Sequence, residues 1–147
     1  MDCIAISFLL DVFSSLNKEE ASTAQHQRSE QSFTVSRFSI SHSSLTLFGL
    51  KRLCESLEKE HCPVTDLNIL FVPLTAEYVD CISGLVCSKF TRVSMRNNDI
   101  TDIGVTSLCD ALRHPSCKVT TLNLRVNQIT DIGVPSLCDA LSIQAVK

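Results

Sequence analysis

The sequence predicts an α/β solenoid, a stack of strand-helix units forming a short right-handed arc with parallel strands inside the curve and helices outside. Three observations carry this. Ile100-Thr-Asp-Ile-Gly-Val105 returns as Ile129-Thr-Asp-Ile-Gly-Val134, and Ser107-Leu-Cys-Asp-Ala-Leu112 returns as Ser136-Leu-Cys-Asp-Ala-Leu141, so a whole unit recurs after 29 residues. Each unit opens with alternating apolar residues, as in Leu122-x-Leu124, the period of a strand with one buried side. Each then places apolar residues at i, i+3, i+4 and i+7, which share one face of a helix.

In chain order, units start near residues 35, 64, 90 and 119. Val35, Phe38, Ile40, Ser43 and Leu45 fill the strand frame loosely. Val64, Leu67, Ile69, Val72 and Leu74 fill it well, as do Phe90, Val93, Met95, Asn98 and Ile100, and then Val119, Leu122, Leu124, Asn127 and Ile129. The helical stripes are Leu50, Leu53, Cys54 and Leu57; Tyr78, Cys81, Ile82 and Leu85; Val105, Leu108, Cys109 and Leu112; Val134, Leu137, Cys138 and Leu141. The second unit is three residues short. Its pattern places one loss before the helix and two in the return to the next strand. Thr101 and Thr130 are candidate N-caps, with Asp102 and Asp131 in first turns where the helix dipole favours a carboxylate. Pro135 lacks an N–H, so a kink or strain is expected in the last helix.

Asn98 and Asn127 follow their strands where an amide can bond backbone groups of the turn and of the next unit. Val72 offers no amide at that position, so its turn must be wired differently. The repeat domain is expected over 35–147. Residues 1–34 form a separate segment, with a short helix possible over 4–16 through Ile4, Phe8, Val12 and Leu16 and a polar linker over 17–34. No polar capping unit is visible after Leu141.

The strand frame, Thr-Asp-x-Gly-Val, Leu-Cys-Asp-Ala-Leu-Arg-His-Pro-Ser-Cys117 and Leu-Asn-Leu124 resemble the ribonuclease-inhibitor type of leucine-rich repeat. That type also forms the C-terminal sensor region of NOD-like receptors. The resemblance is tight over 90–141, good over 45–89 and weak over 35–44. It implies a leucine-rich repeat horseshoe that binds proteins, as a sensor or autoinhibitory segment in innate immunity. It also implies that Cys62 and Cys117 are filling at the turn back into the strand. Ran GTPase-activating proteins share this repeat type, so regulation of a small GTPase is an alternative. A truncated gene product without independent function is another, motivated by the irregular second unit and the uncapped end.

Composition narrows the chemistry. A net charge of -3 with 5% aromatic residues and no Trp argues against nucleic-acid binding. Asp2 precedes the apolar stretch that ends at Asp11, no Lys or Arg stands before it, and it falls short of the roughly 20 residues of a membrane span. A reduced, cytoplasmic chain with no membrane partner is expected. Its eight cysteines are then thiols; Cys109 and Cys138, one unit apart on side-by-side helices, lie too far apart for a disulfide. Cys109-x4-His114-x2-Cys117 lacks a fourth ligand for zinc. No metal, cofactor or catalytic set is expected, because no nucleophile pairs with a base and the glycines belong to the repeat.

The residues between buried strand positions face the concave side. They are Arg37, Ser39 and Ser41; Asp66, Asn68 and Leu70; Arg92, Ser94 and Arg96; Thr121, Asn123 and Arg125, with Phe71 and Val126 as apolar neighbours. Four of the seven arginines fall here and no lysine does. Arginine's planar fork holds carboxylates at two points. The expected partner-binding set is Asn68, Leu70, Arg92, Ser94, Arg96, Thr121, Asn123 and Arg125, facing an acidic protein surface.

Overall fold

The computed structural model describes residues 35–145. The expected helix at 4–16 and linker at 17–34 lie outside the described residues. Strands and helices alternate without exception: β1 (Arg37–Ser41), α1 (Leu47–Glu58), β2 (Asp66–Leu70), α2 (Ala76–Ser88), β3 (Arg92–Ser94), α3 (Asp102–Arg113), β4 (Thr121–Asn123) and α4 (Val134–Ala145). The strands form one sheet in the order β1-β2-β3-β4, each parallel to its neighbour. Sequential strands pair because each helix returns the chain by one strand width, which is what an in-line stack of equal units requires.

Between sheet and helices runs one aliphatic core. Ile40, Leu67, Ile69, Val93 and Met95 reach it from the strands; Leu50, Leu53, Leu57, Val105, Leu108 and Leu112 reach it from α1 and α3 as their spacing predicts. Phe90 is the buried aromatic of this core among the described residues.

The second unit departs from its expected register. The buried residues of α2 are Val79, Ile82, Leu85 and Val86, while Tyr78 and Cys81 are half-buried. Val79 therefore takes the place of Leu50 and Val105, and no residue is lost before the helix. All three are lost in the return: Val86 precedes Phe90 by four residues, whereas seven separate Leu57 from Val64 and Leu112 from Val119. The two displaced side chains serve the neighbouring unit instead. The Tyr78 hydroxyl donates to the Leu45 carbonyl (3.0 Å), and the Cys81 thiol meets the Cys54 thiol, Sγ to Sγ 3.8 Å. Lys89, next after α2, donates from Nζ to the carbonyls of Leu57 and Lys59 at the end of α1, where a cation suits the negative end of the dipole.

Capping differs from unit to unit. Thr46 caps α1, its Oγ1 accepting from the Gly49 N–H (3.1 Å). Thr46→Ala should cost about 1 kcal/mol in urea unfolding, and Thr101→Ala distinctly less, because Thr101 is the N-cap of α3 without a side-chain cap bond. Thr130 is not an N-cap: residues 131–133 form a turn and α4 starts at Val134. Pro135 thus falls in the first turn, where a missing N–H costs no helical bond, and the expected kink has no cause. Asp102 does not simply face its own dipole. It accepts from the Thr130 N–H (2.9 Å) and the Thr130 hydroxyl (2.6 Å) one unit on. Gly133 keeps that link possible, since a Cβ there would lie 2.5 Å from Asp102 Oδ1.

The last unit buries less than its pattern predicts. Ala140 and Gly133 are buried and Leu137 half-buried, but Val134, Cys138 and Leu141 are exposed, Leu141 at 49%. Cys138 is therefore not the counterpart of buried Cys109. Leu122, Leu124 and Ile129 are half-buried for the same reason: among the described residues nothing packs beyond the fourth unit.

Between units the two asparagines bond the preceding unit rather than the next, and Asn127 also bonds its own turn at Leu124, as expected. Asn98 accepts from the Val72 N–H (2.8 Å) and donates to the Ile69 carbonyl (3.0 Å). Asn127 accepts from the Ile100 N–H (3.2 Å) and donates to the carbonyls of Met95 (2.9 Å) and Leu124 (2.8 Å). Asn98 thereby wires the turn that Val72 leaves bare. Val72 gives no amide to the first turn, where the Ser43 hydroxyl is buried without a hydrogen-bond partner among the described residues.

Candidate functional site: the concave strand face

Strand register gathers the outward-pointing side chains into rows that run across the sheet. Arg37, Asp66, Arg92 and Thr121 form the first row. Asp66 is sunk between the arginines, its side chain 10% exposed, with Oδ2 3.3 Å from Arg37 Nη2 and 3.2 Å from Arg92 Nη1. Partial desolvation pushes the Asp66 carboxyl up, but hydrogen bonds from Arg92 and Arg37, with their charges, outweigh it and hold the pKa below the usual carboxylate range. One carboxylate shared by two arginines leaves the row a net charge of +1, but gives each arginine a partner within the sheet. Arg92 is committed within the sheet and is a poorer anchor for an outside anion than its place on the face predicts.

A lowered folded-state pKa means that the Asp66 contribution to stability is present above the unfolded value, roughly pH 4, and is lost as pH falls through the folded value. Asp102 adds in the same sense, its carboxyl held down by the Thr130 hydroxyl and then by the Thr130 N–H. Melting temperature should therefore be flat from pH 7 to 5 and fall below pH 4. Asp66→Asn should flatten part of that fall.

Ser39, Asn68, Ser94 and Asn123 make the second row. Asn68 donates to Ser39 Oγ (2.9 Å) and Asn123 Oδ1 accepts from the Arg125 N–H (3.1 Å). In the third row Leu70, half-buried, pairs with Ser41. Past the ends of β3 and β4 the ladder continues: the Met95 N–H bonds the Asn123 carbonyl (2.9 Å) and the Asn97 N–H the Arg125 carbonyl (3.0 Å). Arg96 and Arg125 are thus neighbours about 4.8 Å apart, one strand spacing. Both are exposed, and no carboxylate among the described residues forms an ion pair with either. Like charges side by side repel, and a carboxylate from outside would relieve them. Row one carries its own carboxylate and the Arg96–Arg125 pair does not, among the described residues.

One residue past each third-row position the backbone turns left-handed: His42 (φ 50), Phe71 (φ 52), Asn97 (φ 55) and Val126 (φ 58). Asn tolerates this region, whereas a ring or a β-branched side chain at positive φ is strained, by about 1–3 kcal/mol each. At Phe71 the ladder also slips: register predicts its N–H on the Arg96 carbonyl, but it bonds Asn97 (3.0 Å). Phe71 stacks on His42, centroids 4.3 Å apart at 24°, yet remains 47% exposed, and Val126 is 62% exposed. Phe71, Asn97, Asp99, Val126 and Gln128 line a cleft of about 350 Å³ over the buried Asn98 and half-buried Asn127.

The column of left-handed residues escaped sequence reasoning, because only Asn97 carries a residue type that announces such a turn. Sequence reasoning places Asp66 on the face but not its pairing with the arginines, although spacings of 29 and 26 set it in one row with Arg37 and Arg92. As for other chemistry, burial pushes the Cys54 and Cys109 thiols up, which keeps them protonated and poor nucleophiles. Among the described residues no group of three or more His, Cys, Asp or Glu is placed to hold a metal ion, and no helix is long and apolar enough to cross a membrane.

A family model described as Leucine Rich repeat matches residues 86–109 and 116–138. These units are leucine-rich repeats. NACHT, LRR and PYD domains-containing protein 14 of Mus musculus is 30% identical over 110 residues, 73% of this chain and 11% of that protein. NACHT, LRR and PYD domains-containing protein 9 of Bos taurus is 37% identical over 73 residues, 48% of this chain and 7% of that one. Ribonuclease inhibitor of Mus musculus is 32% identical over 73 residues, 48% of this chain and 16% of the inhibitor. The leucine-rich repeats are thus of the ribonuclease-inhibitor type and resemble the repeat regions of NOD-like receptors. The matched stretch spans about a tenth of the length of the NACHT relatives.

Proposed function

We propose that these leucine-rich repeats form a non-catalytic docking module, the sensor or autoinhibitory segment of a cytoplasmic protein related to NOD-like receptors, and that the concave face takes an acidic protein surface. The uncompensated pair Arg96 and Arg125 carries this reading. Around it Ser94, Thr121, Asn123 and Asn68 offer hydrogen bonds and Leu70 an apolar contact. Arg92, held by Asp66, supports the field more than it grips. The non-catalytic reading is supported by burial, which pushes the Cys54 and Cys109 thiols up and makes them poor nucleophiles, and by the likeness to ribonuclease inhibitor.

Poly-L-glutamate titrated into the purified chain at about 0.15 M salt tests the docking face. Arg96→Ser with Arg125→Ser should weaken binding at least about tenfold, 1.4 kcal/mol, consistent with about 1.5–3 kcal/mol for a hydrogen bond to a charged group. Arg92→Ser should weaken it far less. Equal losses from both would contradict the assignment. The receptor-segment part is tested by immunoblot of source tissue with an antibody against residues 90–141. A band several times larger than this chain is expected, and one at the chain's own size contradicts it.

A further inference from the structure

Two strained, exposed apolar side chains flank one cleft beside the two unpaired arginines. Phe71 and Val126 stand on either side of Asn97, one unit away each, so about 10 Å of sheet separates their strands. Asn97 holds the middle of that span and lines the cleft with them. Both hold left-handed backbone that Asn, Asp or Gly would hold more easily, and both leave much of their surface in water, although Phe71 also stacks on His42. Strain kept at an exposed position points to use.

Charge decides what fits between them. Arg96 and Arg125 directly precede two of the cleft residues and carry no partner carboxylate among the described residues. Asp99 also lines the cleft, its Oδ1 accepting from Gln128 Nε2 (3.1 Å), and its charge disfavours a carboxylate there, leaving the arginines as the place for acidic groups. We infer that the cleft between Phe71 and Val126 is an anchor site for an extended acidic peptide segment, which seats one apolar side chain between them and lays its carboxylates on Arg96 and Arg125. This rests on the reading of the concave face as a docking face and adds a specificity pocket to it.

The test uses fluorescence anisotropy with two labelled pentapeptides, each with two Glu on either side of a central residue that is Leu in one and Ser in the other. The Leu peptide should bind wild-type chain at least tenfold more tightly. Val126→Asn and Phe71→Asn should erase that preference, and Val126→Asn should do so while raising Tm, since Asn accepts the left-handed turn. Arg96→Ser with Arg125→Ser should weaken both peptides alike and keep the preference. Equal affinity for the two peptides, or a preference that survives both Asn variants, overturns the anchor site and leaves the arginine face standing. Arginine variants without effect on either peptide overturn the docking face itself. A dimer of the free chain in sedimentation that Val126→Asn dissociates makes a second copy the occupant and overturns the acidic segment.

Discussion

Phe90→Ala is expected to lower the unfolding free energy by about 3–5 kcal/mol, the usual cost of emptying a buried phenylalanine site. The side chain is fully buried, and it opens the third unit directly after the return that is three residues shorter than the others. Valine fills the same position in the second and fourth units. The shorter return leaves less chain to close over the cavity, so little collapse is available to soften the loss. Phe90→Leu, nearly conserving volume, should cost less than about 1.5 kcal/mol. Urea titrations should show the midpoint moving while the slope stays constant. A near-neutral Phe90→Ala would mean that the core between α2 and α3 is not packed as described.

Asn98→Ala should cost about 2–4 kcal/mol. The amide serves two backbone groups of the preceding unit, the Val72 N–H and the Ile69 carbonyl, and each buried group left unpaired costs about 1–3 kcal/mol. Water reaches the site poorly, since Asn98 is itself buried. Asn98→Asp should recover part of the loss, keeping the acceptor for Val72 and losing the donor to Ile69. Amide exchange at Val72 reports this directly: faster in Asn98→Ala, near wild type in Asn98→Asp. The Asn127 counterpart is half-buried, so Asn127→Ala should cost less.

Much of this fold was legible because its cause is local and repeated. A unit that cannot bury its own apolar face must stack, and the 29-residue recurrence of Leu122-type strand and Leu108-type helix positions states the stacking interval. What sequence reasoning misplaced lies where one unit depends on another. The α2 stripe was read as Tyr78 and Cys81, which are apolar enough to continue a helical pattern, but the neighbouring helices select Val79 and Val86. Asn98 was read as bonding forward because donor and acceptor capacity carries no direction. The Val134 stripe was read as buried because periodicity describes an amphipathic face and not what covers it.

For the site, alternation along each strand assigned the concave residues, and the structure places Asn68, Leu70, Arg92, Ser94, Arg96, Thr121, Asn123 and Arg125 along one face. Their energetics were not legible from composition. Counting arginines made Arg92 equal to Arg96, whereas Arg92 shares Asp66 with Arg37 and no carboxylate among the described residues pairs with Arg96. The strain at Phe71 and Val126 left no trace in residue type, because a positive φ is a property of the turn and shows in sequence only when Gly or Asn fills it.

Hydrogen–deuterium exchange of the chain with and without saturating poly-L-glutamate tests the central claim that the concave face is the docking face. Protection is predicted at the ends of β3 and β4 and in the turns at 95–99 and 124–128, with the helices α1 to α4 unchanged. Protection confined to the outer helices, with those turns exchanging as in the free chain, would contradict it.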